Sequence, residues 1–134
     1  MTIKQIKSDK VTEPAPGLWS NCLKVDNLVF ISGLTARSKE LDPTGGDEYQ
    51  QTRLIFERMK ALVEAAGGRM ADIVKLTIFV TNIANREKIW TARKEAFSGA
   101  FPACSLVEVR NLAPGISVEI EGIAVLDRGG RPAA

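Results

Sequence analysis

Histidine is absent from the 134 residues. That one absence excludes a Ser-His-Asp triad, a Cys-His pair, paired-histidine ribonuclease chemistry and every zinc site that needs imidazole. Cysteine is scarce. Cys22 and Cys104 are the only thiols, too few for a structural zinc site, and in a reducing compartment they stay free. No charge dominates: 18 basic residues stand against 16 acidic ones, and a net +2 marks neither nucleic acid nor a membrane surface as the partner. No apolar run approaches the roughly 18 residues of a membrane span. Residues 1–7 lack the apolar stretch of a secretory signal, so a cytoplasmic protein is the expectation. Chemistry is left to carboxylates, hydroxyls, a thiol, backbone amides or positioned water.

What is present is enough for one folded domain over residues 1–134, since 45% of the chain is hydrophobic. Residues 1–16 read as an extended lead-in. A strand over 19–25 is followed by Asp26-Asn27, a hairpin turn, and by a strand over 28–32. Polar residues 36–46 read as a loop. From 47 to 66 Ile55, Met59, Leu62, Val63 and Ala66 recur at three and four, which predicts a helix stopped by Gly67-Gly68. Its Arg53, Glu57, Arg58, Lys60 and Glu64 read as the solvated side. A β-branched strand follows over 74–80, then a helix over 86–97 with Ile89, Arg93 and Phe97 on one stripe and Trp90 beside it. Two strands joined by Pro114-Gly115 complete the domain, and 127–134 reads as a frayed tail.

The order β-β-α-β-α-β-β predicts an α+β fold, a mixed sheet with two helices on one face. The other sheet face, assigned Phe79 and Leu106, would be left wet, which predicts an oligomer interface. The last strand alternates. Val118, Ile120 and Ala124 point one way, Glu119 and Glu121 the other, so two carboxylates share one face. The glycine pairs at 45–46 and 67–68 belong to no phosphate loop.

Several stretches together resemble the Rid family, also called YjgF, the reactive-intermediate deaminases. They are Gly17-Leu-Trp, Asn-Leu-Val-Phe-Ile-Ser-Gly at 27–33, Gln51-Thr, Ala-Ala-Gly-Gly at 65–68, the run at 71–80, Phe-Pro-Ala at 101–103, and Val-Glu-Ile-Glu-Gly-Ile-Ala at 118–124. The resemblance covers roughly residues 17–125. It implies a chorismate-mutase-like subunit in a homotrimer, with ligand clefts between neighbours. It implies hydrolysis of small-molecule imines and enamines, such as those made by pyridoxal-phosphate dehydratases, with no metal or organic cofactor. By position Glu119 matches the family's cleft glutamate, which orients or activates water, and Ser32 and Gly33 match the cleft rim.

Three departures cluster in that cleft. The family's carboxylate-binding arginine in Pro-Ala-Arg-Ser is replaced by Cys104, which cannot form a bidentate pair with a carboxylate. A hydrogen bond to a charged group is worth about 1.5–3 kcal/mol, one to two decades of affinity. Trp90 and Arg93 stand where many members have asparagine and tyrosine, and Trp19 where many have tyrosine. The expected pocket is larger and more aromatic, with Trp19, Trp90, Cys104 and Leu106 shaping it.

Plainer readings stand beside these. Glu119 can be a structural carboxylate, and Glu121 part of an ion pair. Cys104 can fill the space of the missing arginine, and without a histidine it makes a poor nucleophile. Cys22 reads as strand packing. Trp19 and Trp90 can stack on a planar substrate or belong to core or interface. Arg93 can replace the lost cation or join a solvated face. The functional readings are hydrolysis of an imine larger or more conjugated than 2-aminoacrylate, a non-catalytic trimer that binds a metabolite, and, third, an endoribonuclease.

Overall fold

The computed structural model describes residues 2–37 and 46–126. The strands are β1 (Ile3–Gln5), β2 (Cys22–Val25), β3 (Leu28–Leu34), β4 (Ile73–Val80), β5 (Ala103–Glu108) and β6 (Val118–Val125), and the helices are α1 (Glu48–Ala65) and α2 (Arg86–Ala96). They form one mixed sheet in the order β1-β2-β3-β6-β4-β5. Among the described residues only β4 and β5 pair in parallel, across the α2 crossover. The centre belongs to β6, antiparallel to both β3 and β4. No helix among the described residues is long and apolar enough to cross a membrane.

Local chemistry sets the element ends. Asp47 caps α1 by accepting from Gln50 N at 3.0 Å, while Gln50 Oε1 accepts from Asp47 N. At the other end Gly67 takes φ +95°, and Gly67 N and Gly68 N bond to the Glu64 and Val63 carbonyls, both at 2.9 Å. Between β2 and β3 Val25 faces Leu28, and Asp26 adopts φ 54° in the two-residue turn.

Helix α1 buries Ile55, Met59 and Leu62 against Val29, Leu76, Ile78, Val118, Ile120 and Ala124 of the sheet. Phe56 meets Phe97 edge to face at 5.4 Å between centroids. The opposite sheet face is open, with Leu28, Phe30 and Val107 each more than a third exposed.

Four expectations need correction. The N-terminal residues are not all lead-in: β1 pairs with β2, and Ile6 and Val11 enter the core. Pro114-Gly115 does make a turn, with Gly115 at φ 78° and Ile116 N bonded to Ala113 O at 2.9 Å. It does not make a hairpin, because β4 lies between β5 and β6 and residues 109–117 cross its end. Leu106 faces the helices, not the open side. Its parallel partner is the buried Ile78, and Val107 stands beside Phe79. Arg58 is half-buried, not solvated. The expected loop at 36–46 falls mostly, and the tail at 127–134 wholly, outside the described residues.

Candidate active site

Strand β6 carries Glu119 because its alternation buries Val118, Ile120 and Ala124 and turns the carboxylates to the open face. The neighbour β3 then breaks its own period. Between the pairs Ile31–Gly122 and Leu34–Ile120, β3 has two residues, Ser32 and Gly33, where β6 has one, Glu121. This β-bulge lets Ile31 and Leu34 both reach the core although they are three apart. It also presents the bare Cα of Gly33 to Glu119. A methyl group there would overlap Glu119 Oε2 and stand 2.9 Å from Cδ. The carboxylate is packed over a glycine because any side chain would take its place.

Glu119, Ser32, Gly33 and Trp19 line one cavity of about 590 Å³, together with Glu13, Asn21, Arg37 and Arg58. The Trp19 indole donates Nε1–H to Asn21 Oδ1 at 3.1 Å. Asn21 is itself buried, and its Nδ2 donates to Thr12 O at 3.0 Å and Glu13 Oε2 at 3.3 Å. Trp19 thus presents an exposed ring anchored by its polar edge. Ser32 spends both donors on the preceding segment, Oγ–H to Ser20 O at 2.6 Å and N–H to Asn21 O at 2.9 Å. Its hydroxyl keeps acceptor capacity towards the cavity.

The remaining sequence-predicted residues lie elsewhere in the chain. Trp90 is on the surface of α2, where the Arg86 guanidinium stacks on its ring at 5.6 Å. Cys104 and Leu106 pack from the edge strand β5 against the core cluster, and Arg93 Nη1 lies 3.3 Å from Cys104 Sγ. Glu13, Asn21, Arg37 and Arg58 all line this cavity and were not singled out by the sequence reading. Cys22 is buried in β2, and desolvation with the nearby Glu13 pushes its thiol up to about 11, so it is inert packing at neutral pH.

Burial, reinforced by the Glu121 carboxylate, raises the Glu119 carboxyl above its ordinary 4.5. The folded chain therefore holds this proton more tightly than the unfolded one. Its stabilising effect is complete at low pH and declines as pH climbs from 4.5 through the raised folded value. Glu119→Gln should accordingly melt above the wild type near neutral pH, with the gap closing in acid. Calorimetry across that range checks it. A variant less stable at neutral pH would show Glu119 to be a structural anchor.

The sequence matches the endoribonuclease L-PSP family over residues 11–126. A 2-iminobutanoate/2-iminopropanoate deaminase of Dermatophagoides farinae is 39% identical over 95% of this chain and 100% of its own. The enzyme of that name from Escherichia coli K12 is 36% identical over 85% of this chain and 94% of its own. Among solved structures, a Pseudomonas aeruginosa protein of unknown function superposes with a TM-score of 0.85 at 36% identity, covering 94% of each chain. RidA of an Antarctic Psychrobacter superposes at 0.83 with 32% identity, covering 92% of this chain and 99% of that one. The bulge that lays a strand carboxylate over a glycine is therefore set in a fold shared along nearly the whole chain, and the chain belongs to the endoribonuclease L-PSP family, the Rid or YjgF proteins.

Proposed function

We propose that this chain hydrolyses a small imine, or the enamine that tautomerises to it, to a carbonyl compound and ammonia. One observation carries the reading: the Glu119 carboxylate, half-buried and raised in pKa, lies against Gly33 in the cavity that also holds Trp19 and Ser32. Water adds through oxygen to the C=N carbon while Glu119 accepts its proton. Glu119 returns that proton to nitrogen, giving the carbinolamine. It then takes the proton of the carbinolamine hydroxyl and delivers it to the amine nitrogen as the C–N bond breaks, so that ammonia leaves while the C=O bond forms. A carboxyl with a raised pKa suits both halves of this transfer. Ser32 Oγ accepts from the substrate N–H, and the Trp19 face stacks on a conjugated or larger imine than 2-aminoacrylate. Relatives named as deaminases of 2-iminobutanoate and 2-iminopropanoate support the reaction class.

The open sheet face is proposed to bury itself in a homotrimer, with Trp90 and Cys104 on a neighbour's helix α2 and edge strand β5 at the rim of this cavity. Leu106, packed against its own core, is left out of the rim. Light scattering should then give three times the 14.6 kDa of one chain, and Phe30→Lys, placing a charge on that face, should give one. A wild-type monomer would remove the neighbour's residues from the site.

A second reading, a metabolite-binding trimer without catalysis, is favoured by Cys104 in place of arginine. An amino-acid oxidase that generates imines in situ separates the two. Faster release of oxo acid with the protein supports hydrolysis; rates unchanged by the protein, for small and aromatic imines alike, leave the binding reading. RNA cleavage, the third reading, has no histidine to perform it and a net charge of only +2 to attract the polyanion.

A further inference from the structure

Arg58 is the cavity residue with the least obvious reason to be there. It lies on α1, among residues whose pattern marks them as solvent-facing, yet it is half-buried and lines the cavity that holds Glu119. Its Nη1 donates to two backbone carbonyls, Thr35 O and, at 2.9 Å, Arg37 O. Both acceptors follow directly on β3, downstream of the Ser32–Gly33 bulge. The guanidinium is thereby fixed to the same stretch of backbone that forms the site.

A guanidinium has five N–H groups. The two on Nη1 match the two carbonyls. Among the described residues no other acceptor bonds to Arg58, which leaves the Nε–Nη2 edge. That edge presents two parallel N–H groups, the geometry that pairs side-on with a carboxylate. Partial burial also lowers the arginine's pKa through desolvation, so the charge is weakly screened and acts strongly on an anion at short range. Arg93, which the sequence offers as a replacement for the lost cation, sits against Cys104 and outside the walls of this cavity.

We propose that Arg58 binds the carboxylate of the substrate, so that the cavity selects α-imino acids and the corresponding oxo acids over their uncharged analogues. This rests on the imine-hydrolase reading for the identity of the ligand, and it moves the cation from strand β5 to helix α1.

The test is calorimetric titration of the purified full chain with 2-oxobutanoate and with 2-oxobutanamide. Wild type should prefer the acid. Arg58→Gln should weaken the acid by roughly 10- to 100-fold and leave the amide within about 2-fold. Arg58→Lys, which keeps the charge but not the fork, should fall between, and Arg93→Gln should change neither. Because Arg58 also ties α1 to residues 35 and 37, melting temperatures accompany each titration. If Arg58→Gln fails to fold, the Lys variant and Arg93→Gln decide. The proposal is overturned if wild type shows no preference for the acid, if Arg58 variants lose acid and amide equally or lose neither, or if Arg93→Gln removes acid binding. No turnover is needed. Oxo-acid binding through Arg58 without imine hydrolysis would defeat the hydrolase reading alone, and hydrolysis with acid preference intact in Arg58→Gln would defeat this proposal alone.

Discussion

Glu119→Gln is expected to slow imine hydrolysis by roughly 100- to 10,000-fold, the usual contribution of a positioned acid–base group. Glutamine keeps the shape that packs over Gly33 but can neither take a proton from water nor return one to nitrogen. The loss should fall on kcat, with KM little changed, because the missing interaction belongs to the transition state. Glu121 supplies the control. It shares the strand face, is exposed, and acts on Glu119 only through its charge. Glu121→Gln should keep most of the activity. By removing a like charge, it should also move the acid limb of the pH–rate profile to lower pH. Steady-state kinetics on an imine generated in situ checks both variants. Equal losses in the two would show a requirement for negative charge on the face, not for a proton acceptor at Glu119.

Gly33→Ala is expected to cost at least about tenfold in kcat with little loss of stability, an unusual separation for a strand substitution. Gly33 is not among the glycines with positive φ, so its backbone admits alanine. The three atoms nearest to the new methyl group all belong to Glu119, at the flexible end of one side chain. The carboxylate has to swing away, and the fold does not have to yield. Gly67→Ala provides the opposite case. It has open space around it but sits at φ +95°, at the end of α1. It should lose about 1 kcal/mol of stability and none of its activity. Thermal melts and rates for the pair check this. A Gly33→Ala protein as active as wild type would mean that the contact between Gly33 and Glu119 plays no part in catalysis.

Periodic elements were legible and non-local ones were not. The α1 stripe and its glycine stop mark the helix to within a residue, since helix ends follow from local capping chemistry. The alternation of β6 marks the two carboxylates as outward because its partners are apolar at every second position. On β5 Leu106 and Val107 are both apolar, so nothing local shows which one faces the helices; the parallel register with β4 decides it. β1 is three exposed residues, and only its pairing with β2 makes it a strand.

Site residues divide along the same line. Glu119, Ser32, Gly33 and Trp19 come from two strands and the segment before β2, and they meet in one cavity. Sequence spacing offers one hint of the bulge that joins them: Ile31 and Leu34 are both apolar and three apart, which a regular strand cannot bury on one face. Arg58 had no such hint. On the helical wheel it falls among charged neighbours, and only tertiary packing brings it to the carbonyls of residues 35 and 37. Asn21 looks like a polar residue at a strand start until its amide is seen to anchor the Trp19 indole.

The most direct test of imine hydrolysis at Glu119 is competition with a chemical trap. An oxidase releases the imine in the presence of semicarbazide, and the initial rate of semicarbazone formation is measured with wild type, with Glu119→Gln and with no added chain. The imine is trapped faster than the oxo acid, so wild type should divert it to oxo acid and lower that initial rate, and Glu119→Gln should restore it to the level without protein. An unchanged initial rate with wild type, or the same reduction by wild type and Glu119→Gln, would contradict proton transfer by Glu119.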